Sequence, residues 1–176
     1  MNVEQRLKEP GLTLPNPPKP AGNYQPWILS GNLLYLSGQF PIENGVPRYV
    51  GRVGAELSES DGYAAARLAA LNVLAQIQAA LRSLDRLEHL VRVEGHIASA
   101  PGWNNAPKVL DGASDLFASV LGERGRHTRT VSPAHPRAGG AGRVKRARPR
   151  RGRRQVRGIH AGSHARSRTR EGGGGG

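Results

Sequence analysis

The sequence predicts a two-layer α+β domain in which a mixed sheet is backed by two helices. Three observations support this fold class. A hairpin-like apolar segment opens the domain, two stretches with helical periodicity follow it, and a segment with strand periodicity separates those stretches. The predicted order is therefore hairpin, helix, strand, helix and the start of another strand. A helix between two strands usually makes a right-handed crossover, so both helices are expected on one face of the sheet.

The chain begins with a proline-rich leader, residues 1–23, which has prolines at positions 10, 15, 17, 18 and 20. Proline fixes φ and lacks a backbone donor, so the leader is predicted to be extended or irregular. Packing along the fold is favoured over a role as ligand for a proline-reading domain. The hairpin follows at residues 27–40, where a polar break at 30–32 separates two apolar runs. Residues 43–45 predict a second turn.

Two helices are predicted from their caps and apolar stripes. The first begins at Ser58, which forms a capping-box pattern with Asp61, and extends to about residue 84. Its core-facing stripe is Ala70, Leu74, Ile77, Leu81 and Leu84. The second helix covers residues 108–121, and Gly122 is its expected C-cap. Its apolar side chains are Leu110, Leu116, Phe117, Val120 and Leu121.

Between the helices, residues 89–98 alternate as a half-buried strand, with Val91, Val93, Gly95 and Ile97 expected on the inner face. After the second helix, residues 126–130 are predicted to open a last strand. The domain is therefore assigned to residues 24–130.

Residues 131–176 differ sharply from the rest of the chain. Residues 1–130 contain thirteen Lys or Arg and twelve Asp or Glu, a balance of +1, whereas residues 131–176 hold thirteen basic residues and one acid, a balance of +12. The segment lacks Leu, Phe, Tyr, Trp and Met. It cannot offset its chain entropy by apolar burial, so it is predicted to be a disordered tail, with the last strands of the sheet missing.

Three interpretations of this tail stay open. An arginine-rich arm binds RNA or DNA through counterion release, although no aromatic residues are interleaved for stacking. Short basic runs also serve as targeting or solubilising tails. The favoured interpretation is a shifted reading frame, because Arg, Gly, Ala and Pro have G/C-rich codons and the change falls abruptly inside a strand.

Composition excludes several classes of function. The chain has no cysteine, which rules out disulfides, thiolate metal ligands and a thiol nucleophile. No membrane-spanning run or signal peptide is expected, and a cytoplasmic protein is the default. His89, His96 and His127 have no metal-ligand spacing, so neither a metal nor another cofactor is predicted.

The segments "YLSGQF" and "GWNNAPKVLDGASDLFASVLGERGRHTRT" together resemble the YjgF/RidA family, the reactive-intermediate deaminases, also called L-PSP endoribonuclease-like or chorismate-mutase-like proteins. The resemblance implies a homotrimer with sites in the clefts between subunits. It also implies hydrolysis of enamines and imines to 2-keto acids and ammonia without a cofactor. A non-catalytic trimer that binds small carboxylates, and an RNA-binding protein acting through the tail, are the alternatives.

The resemblance assigns substrate-binding residues. Arg129 matches the arginine that grips the substrate carboxylate, for which a planar guanidinium offers two parallel hydrogen bonds. Tyr24 is placed to line the pocket, and Ser37 and Gly38 offer a hydroxyl and close backbone approach. The alternatives are a solvated Arg129, a half-packed Tyr24 and an ordinary strand end with a bulge at Gly38.

Two departures from the family pattern bear on activity. Asp111 stands where asparagine is common, and its charge is expected either to pair with an arginine or to repel an anionic substrate. A position near a helix N-terminus would also suit that charge. Active members continue into a strand with a water-activating glutamate, and residues 131–170 contain no acid. No catalytic residue is therefore assigned.

Overall fold

The computed structural model describes residues 3–8, 11–134 and 164–167, and its main sheet has five strands in the order β1-β2-β7-β5-β6. The strands are β1 (Trp27–Ser30), β2 (Leu33–Leu36), β5 (Leu87–Ala98), β6 (Thr128–Ala134) and β7 (His164–Ser167). β5 and β6 are parallel, and the other neighbouring pairs are antiparallel. A separate two-stranded ribbon consists of β3 (Ile42–Glu43) and β4 (Val46–Pro47).

In the described ranges, three α-helices accompany the sheet: α1 (Val3–Lys8), α2 (Glu59–Leu81) and α3 (Ala106–Leu121). α2 and α3 pack against each other and against β5, and their apolar faces form most of the core. The predicted α+β class, a mixed sheet backed by two helices, is confirmed. The predicted stripes are confirmed too, since every member of both helical sets is buried.

The capping box at the start of α2 has both of its hydrogen bonds. The Asp61 backbone N–H donates to Ser58 Oγ at 3.1 Å, and the Ser58 backbone N–H donates to Asp61 Oδ2 at 2.9 Å. α2 ends at Leu81, earlier than predicted, because Arg82 adopts a left-handed φ of 66°. A single 3-10 turn, Leu84–Arg86, then leads into β5. Leu84 is buried in that turn, so the predicted apolar stripe continues beyond the end of the helix.

Asp61 makes the stability of this helix start depend on pH. Hydrogen bonds from the Ser58 hydroxyl and backbone N–H lower the pKa of the Asp61 carboxyl. Stabilisation from a lowered folded-state pKa is present above the unfolded-state value of about 3.9, and is lost as pH falls through the folded-state value. We expect Asp61→Ala to lower the melting temperature at pH 7 and to have less effect below about pH 4. A difference that stays constant across that range in thermal melts contradicts this account.

α2 also meets the length and composition test for a membrane span, with a mean hydropathy of 1.3. Core helices share this length and composition, so the feature does not contradict the expectation of no membrane-spanning run. Part of its apolar surface packs in the core, where Leu74, Ile77 and Leu81 are buried.

The leader contains a helix that the sequence analysis missed. α1 lies before the first proline, at position 10, so nothing in residues 3–8 prevents helix formation. Val3 and Leu7 lie one turn apart and are 1% and 7% exposed, which makes α1 part of the core. Residues 11–23 contain no helix or strand, as predicted.

One inward-facing residue of the central strand was predicted wrongly. Val93 and Gly95 face inward, but Val91 is 40% exposed and Leu90 is buried instead. The pairing of β5 with β7 shifts register between Leu90 and Arg92, and a bulge of this kind changes the face on which side chains lie.

The prediction that the last strands are missing needs correction. β6 continues to Ala134, beyond the predicted boundary at residue 130, and β7 lies between β2 and β5. β7 contains no proline, so each of its residues has a backbone donor and acceptor, and an apolar-poor segment of this kind can still pair with two strands. The predicted disorder and the RNA-binding interpretation otherwise concern residues 135–163 and 168–176, which lie outside the described residues.

Candidate functional site

Arg129 lies on β6 beside Val93 of β5, and its side chain reaches α3. Its Nη1 donates to Asp111 Oδ1 at 2.6 Å and to Ser114 Oγ at 3.1 Å. The Arg129 side chain is 31% exposed and that of Asp111 is 45% exposed. Because β5, α3 and β6 form one crossover, the strand and helix place a cation, a carboxylate and a hydroxyl together at the surface.

Ser114 is itself held by His127. The imidazole Nδ1 lies 2.6 Å from the Gly125 carbonyl oxygen, and its Nε2 lies 3.1 Å from Ser114 Oγ. A carbonyl oxygen only accepts, so Nδ1 carries the hydrogen, and Nε2 of the neutral ring accepts from the Ser114 hydroxyl. Phe117 packs edge-on against the ring at 5.8 Å. Ser114 therefore donates to His127 and accepts from Arg129, which fixes its orientation.

Of the two expectations for Asp111, the structure shows the pairing with an arginine, which is Arg129. Asp111 lies in the second turn of α3, because the helix begins at Ala106, two residues before its predicted start. The dipole effect fades beyond the first turn, so the Arg129 guanidinium is the main electrostatic partner of this carboxylate.

A second hydrogen-bonded acid follows one turn later on the same face of α3. The Tyr63 hydroxyl on α2 donates to Asp115 Oδ2 at 2.8 Å. This hydrogen bond, with smaller contributions from desolvation and the negative charges of Asp115 and Asp111, raises the pKa of Tyr63, while Arg67 acts in the opposite direction. A second carboxylate and a second guanidinium group, those of Asp115 and Arg67, therefore act on Tyr63.

Ser37 and Gly38 directly follow β2 in the chain. They line a largely apolar cavity of about 250 Å³ between α2, α3 and β5, together with Glu94 and His96. The Ser37 hydroxyl donates to the Gln25 carbonyl oxygen at 2.7 Å, so it joins the segment just before β1 to the end of β2. No atom lies within 4 Å of a side chain built at Gly38, so close approach there is sterically open.

Tyr24 is 47% exposed, and its hydroxyl accepts a hydrogen bond from the Ala21 backbone N–H at 3.2 Å. Within the described part of this single chain, Arg129 and Asp111 come together, whereas no recorded hydrogen bond joins Tyr24, Ser37 or Gly38 to them. Sequence reasoning missed Ser114 and the orienting role of His127. The spacing of Asp111 and Ser114, three residues apart on a helix, was the available signal, because it places both on one face.

Among the described residues, no group of three or more His, Cys, Asp or Glu side chains is arranged to hold a metal ion. The polar groups at Arg129 are one guanidinium, one carboxylate and one oriented hydroxyl. Such a set binds small charged or polar organic molecules by hydrogen bonds.

Residues 4–137 match the family model described as "YjgF/chorismate_mutase-like, putative endoribonuclease". The chain belongs to this family. The match includes α3, β6 and the whole Arg129 cluster, so the candidate site lies on family sequence and not in the basic tail. The resemblance found in the sequence is confirmed at this level.

Individual relatives agree with the assignment. Protein TCP17 of Trypanosoma cruzi is 41% identical over 128 residues, covering 72% of this chain and 80% of that protein. A crystal structure of a "putative endoribonuclease" from Shewanella oneidensis is 42% identical with a TM-score of 0.74, covering 76% of this chain and 89% of its own. A protein of unknown function from Agrobacterium tumefaciens is 44% identical with a TM-score of 0.70, covering 75% and 81%.

Proposed function

We propose that this YjgF-family chain hydrolyses small 2-imino or enamine acids to 2-keto acids and ammonia. The observation that supports the proposal is the half-exposed guanidinium of Arg129, held on β6 against α3 and next to an oriented hydroxyl. Arginine at the surface of a rigid strand suits a carboxylate-bearing substrate, because its fork forms two parallel charge-assisted hydrogen bonds.

The reaction needs little from the protein beyond positioning. Water adds to the carbon of the C=N bond, a proton moves to nitrogen, and the C–N bond then breaks to release ammonia and leave a ketone. Holding the substrate carboxylate on Arg129 fixes the position of the adjacent imine carbon for attack, which is an orientation effect. We assign no general acid or base, since the glutamate of active relatives has no counterpart before Glu171.

We propose further that the site is completed between subunits of a homotrimer. Within the described part of one chain, no recorded hydrogen bond joins Ser37 or Gly38 to the Arg129 cluster, and residues of one cleft can come from two chains. An apolar surface is available for assembly. Phe40, Tyr49 and Val50 line a cavity of about 410 Å³ and are 66%, 39% and 79% exposed. Asn72 fixes this segment by donating to the carbonyl oxygens of Phe40 and Ile42, each at 2.9 Å.

The apolar surface gives a testable prediction about assembly. Light scattering on the wild type should give three times the chain mass of 18.8 kDa. Val50→Asp should give a smaller assembly with an intact fold, because Val50 is 79% exposed in the single chain and contributes little to its core. A monomeric wild type, or a variant whose mass is unchanged, contradicts the assignment of this surface.

The activity is tested by supplying 2-iminopropionate in situ from alanine and an amino acid oxidase. The expected result is an imine decay rate that rises in proportion to the concentration of the full chain, with pyruvate and ammonia formed in equal amounts. A decay rate independent of protein concentration overturns the proposal. If titration calorimetry still detects carboxylate binding in that case, the chain is a non-catalytic binding protein.

A further inference from the structure

Arg129 already has a carboxylate partner within its own chain. Asp111 Oδ1 lies 2.6 Å from Arg129 Nη1, which is the contact a substrate carboxylate would otherwise make. A simple anion arriving at Arg129 therefore meets a neutralised guanidinium and a neighbouring negative charge. This arrangement opposes ligands that carry a carboxylate and no positive charge.

Toward the described residues, the pair nevertheless keeps hydrogen-bonding groups that make no recorded contact. Both hydrogen bonds that Arg129 makes to described residues leave from Nη1, although a guanidinium has five N–H donors. On Asp111, the recorded contact uses Oδ1, and the side chain is 45% exposed. A ligand can thus reach donors of the cation and an acceptor of the carboxylate without breaking the ion pair.

Of the two carboxylates on this face of α3, Asp111 is the one that pairs with Arg129. Asp115, one turn later on α3, is already an acceptor for the Tyr63 hydroxyl. Arg67 acts on the same hydroxyl with the opposite sign to the two carboxylates. Arg129 and Asp111 form a dipole at the exposed part of this surface, with side chains 31% and 45% exposed.

We infer that Asp111 makes this site selective for ligands in which a carboxylate lies next to a protonated nitrogen. The ligand carboxylate binds the free edge of the Arg129 guanidinium, and its cationic N–H donates to Asp111. The inference rests on the proposed function, in which the matching substrate is a 2-imino acid with a protonated nitrogen. The 2-keto acid product lacks that nitrogen and is the weaker ligand, which favours its release.

The test uses L-alanine and propionate, which share a carbon skeleton and differ by the ammonium group. Titration calorimetry on the full chain should show that the wild type binds alanine about tenfold more tightly, the effect of one charge-assisted hydrogen bond. Asp111→Asn should remove or invert this preference, whereas Asp111→Glu should retain most of it. Asp115→Asn is the matched control, because it makes the same change one turn away and should leave the preference unaltered.

Two outcomes overturn the inference. One is an alanine-to-propionate ratio that Asp111→Asn leaves unchanged while thermal melts show a folded protein. The other is a wild type that binds propionate at least as tightly as alanine. Arg129→Gln separates these failures from failure of the proposed function. If that variant loses both ligands, the carboxylate site stands and only the role of Asp111 is wrong; if it binds both normally, the site itself is wrong.

Discussion

Arg129→Ala is expected to reduce imine hydrolysis by roughly 100-fold or more, because it removes the group that binds and orients the substrate carboxylate. The same change should leave the melting temperature almost unchanged. The Arg129–Asp111 pair is partly exposed, with side chains 31% and 45% accessible. Ion pairs of this kind contribute about 1 kcal/mol or less to folding stability. Loss of activity without loss of stability would separate a binding role from a structural one.

Arg126→Ala is the matched control for that measurement. Arg126 lies three residues away and pairs with Glu123 at 3.0 Å, with side chains 75% and 83% exposed. The substitution changes the local charge by the same amount as Arg129→Ala but removes no group of the candidate site. Equal losses of activity in the two variants would show that net charge matters and that Arg129 has no specific role.

Gly112→Ala is expected to give the largest loss of stability. A Cβ built at Gly112 overlaps the Tyr63 carbonyl oxygen, so here α3 lies against the backbone of α2. Alanine would favour the helix itself by about 1 kcal/mol. The steric term dominates, because a backbone atom cannot rotate away as a side chain can, and overpacking of this kind costs about 3 kcal/mol. The net loss of about 2 kcal/mol should lower the melting temperature by roughly 4–8 °C in a chain of this length.

The control for this prediction is a glycine-to-alanine substitution at a position with open space for the added methyl group. No atom lies within 4 Å of a Cβ built at Gly38, so Gly38→Ala should leave the melting temperature nearly constant. An unchanged melting temperature for Gly112→Ala would mean that α2 and α3 are not held as closely as described.

The helices could be predicted from the sequence because local rules and burial agree there. Ser58 and Asp61 give a capping box, and the stripe through Leu74, Ile77 and Leu81 gives one buried face. Both features depend on residues a few positions apart. The pattern around Arg129 could likewise be recognised, because its neighbours in sequence match a family motif.

The features that the sequence did not predict correctly depend on contacts between distant parts of the chain. α1 is stabilised by the burial of Val3 and Leu7 against the rest of the core, which no feature of residues 3–8 alone reveals. Val91 faces outward because of irregular pairing between β5 and β7. The role of Ser114 depends on the contacts of Arg129 and His127 across the crossover. Each of these three features depends on tertiary contacts, which a local sequence pattern does not reveal.

The interpretation of residues 131–176 as a shifted reading frame stays a prediction. It expects another frame of the gene, read after the codon for Thr130, to encode a strand with a Leu-Pro pair and a later glutamate. Such a frame would supply the water-activating acid that the present chain lacks before Glu171.

Binding of an imine substrate's carboxylate by Arg129 is tested by the acceleration of two imines with the same wild-type chain: 2-iminopropionate and the analogue with a carboxamide in place of the carboxylate. We expect acceleration of the carboxylate compound and a rate close to the uncatalysed one for the carboxamide. Equal acceleration of both compounds would contradict this role of Arg129, because hydrolysis would then proceed without the group that Arg129 is proposed to hold.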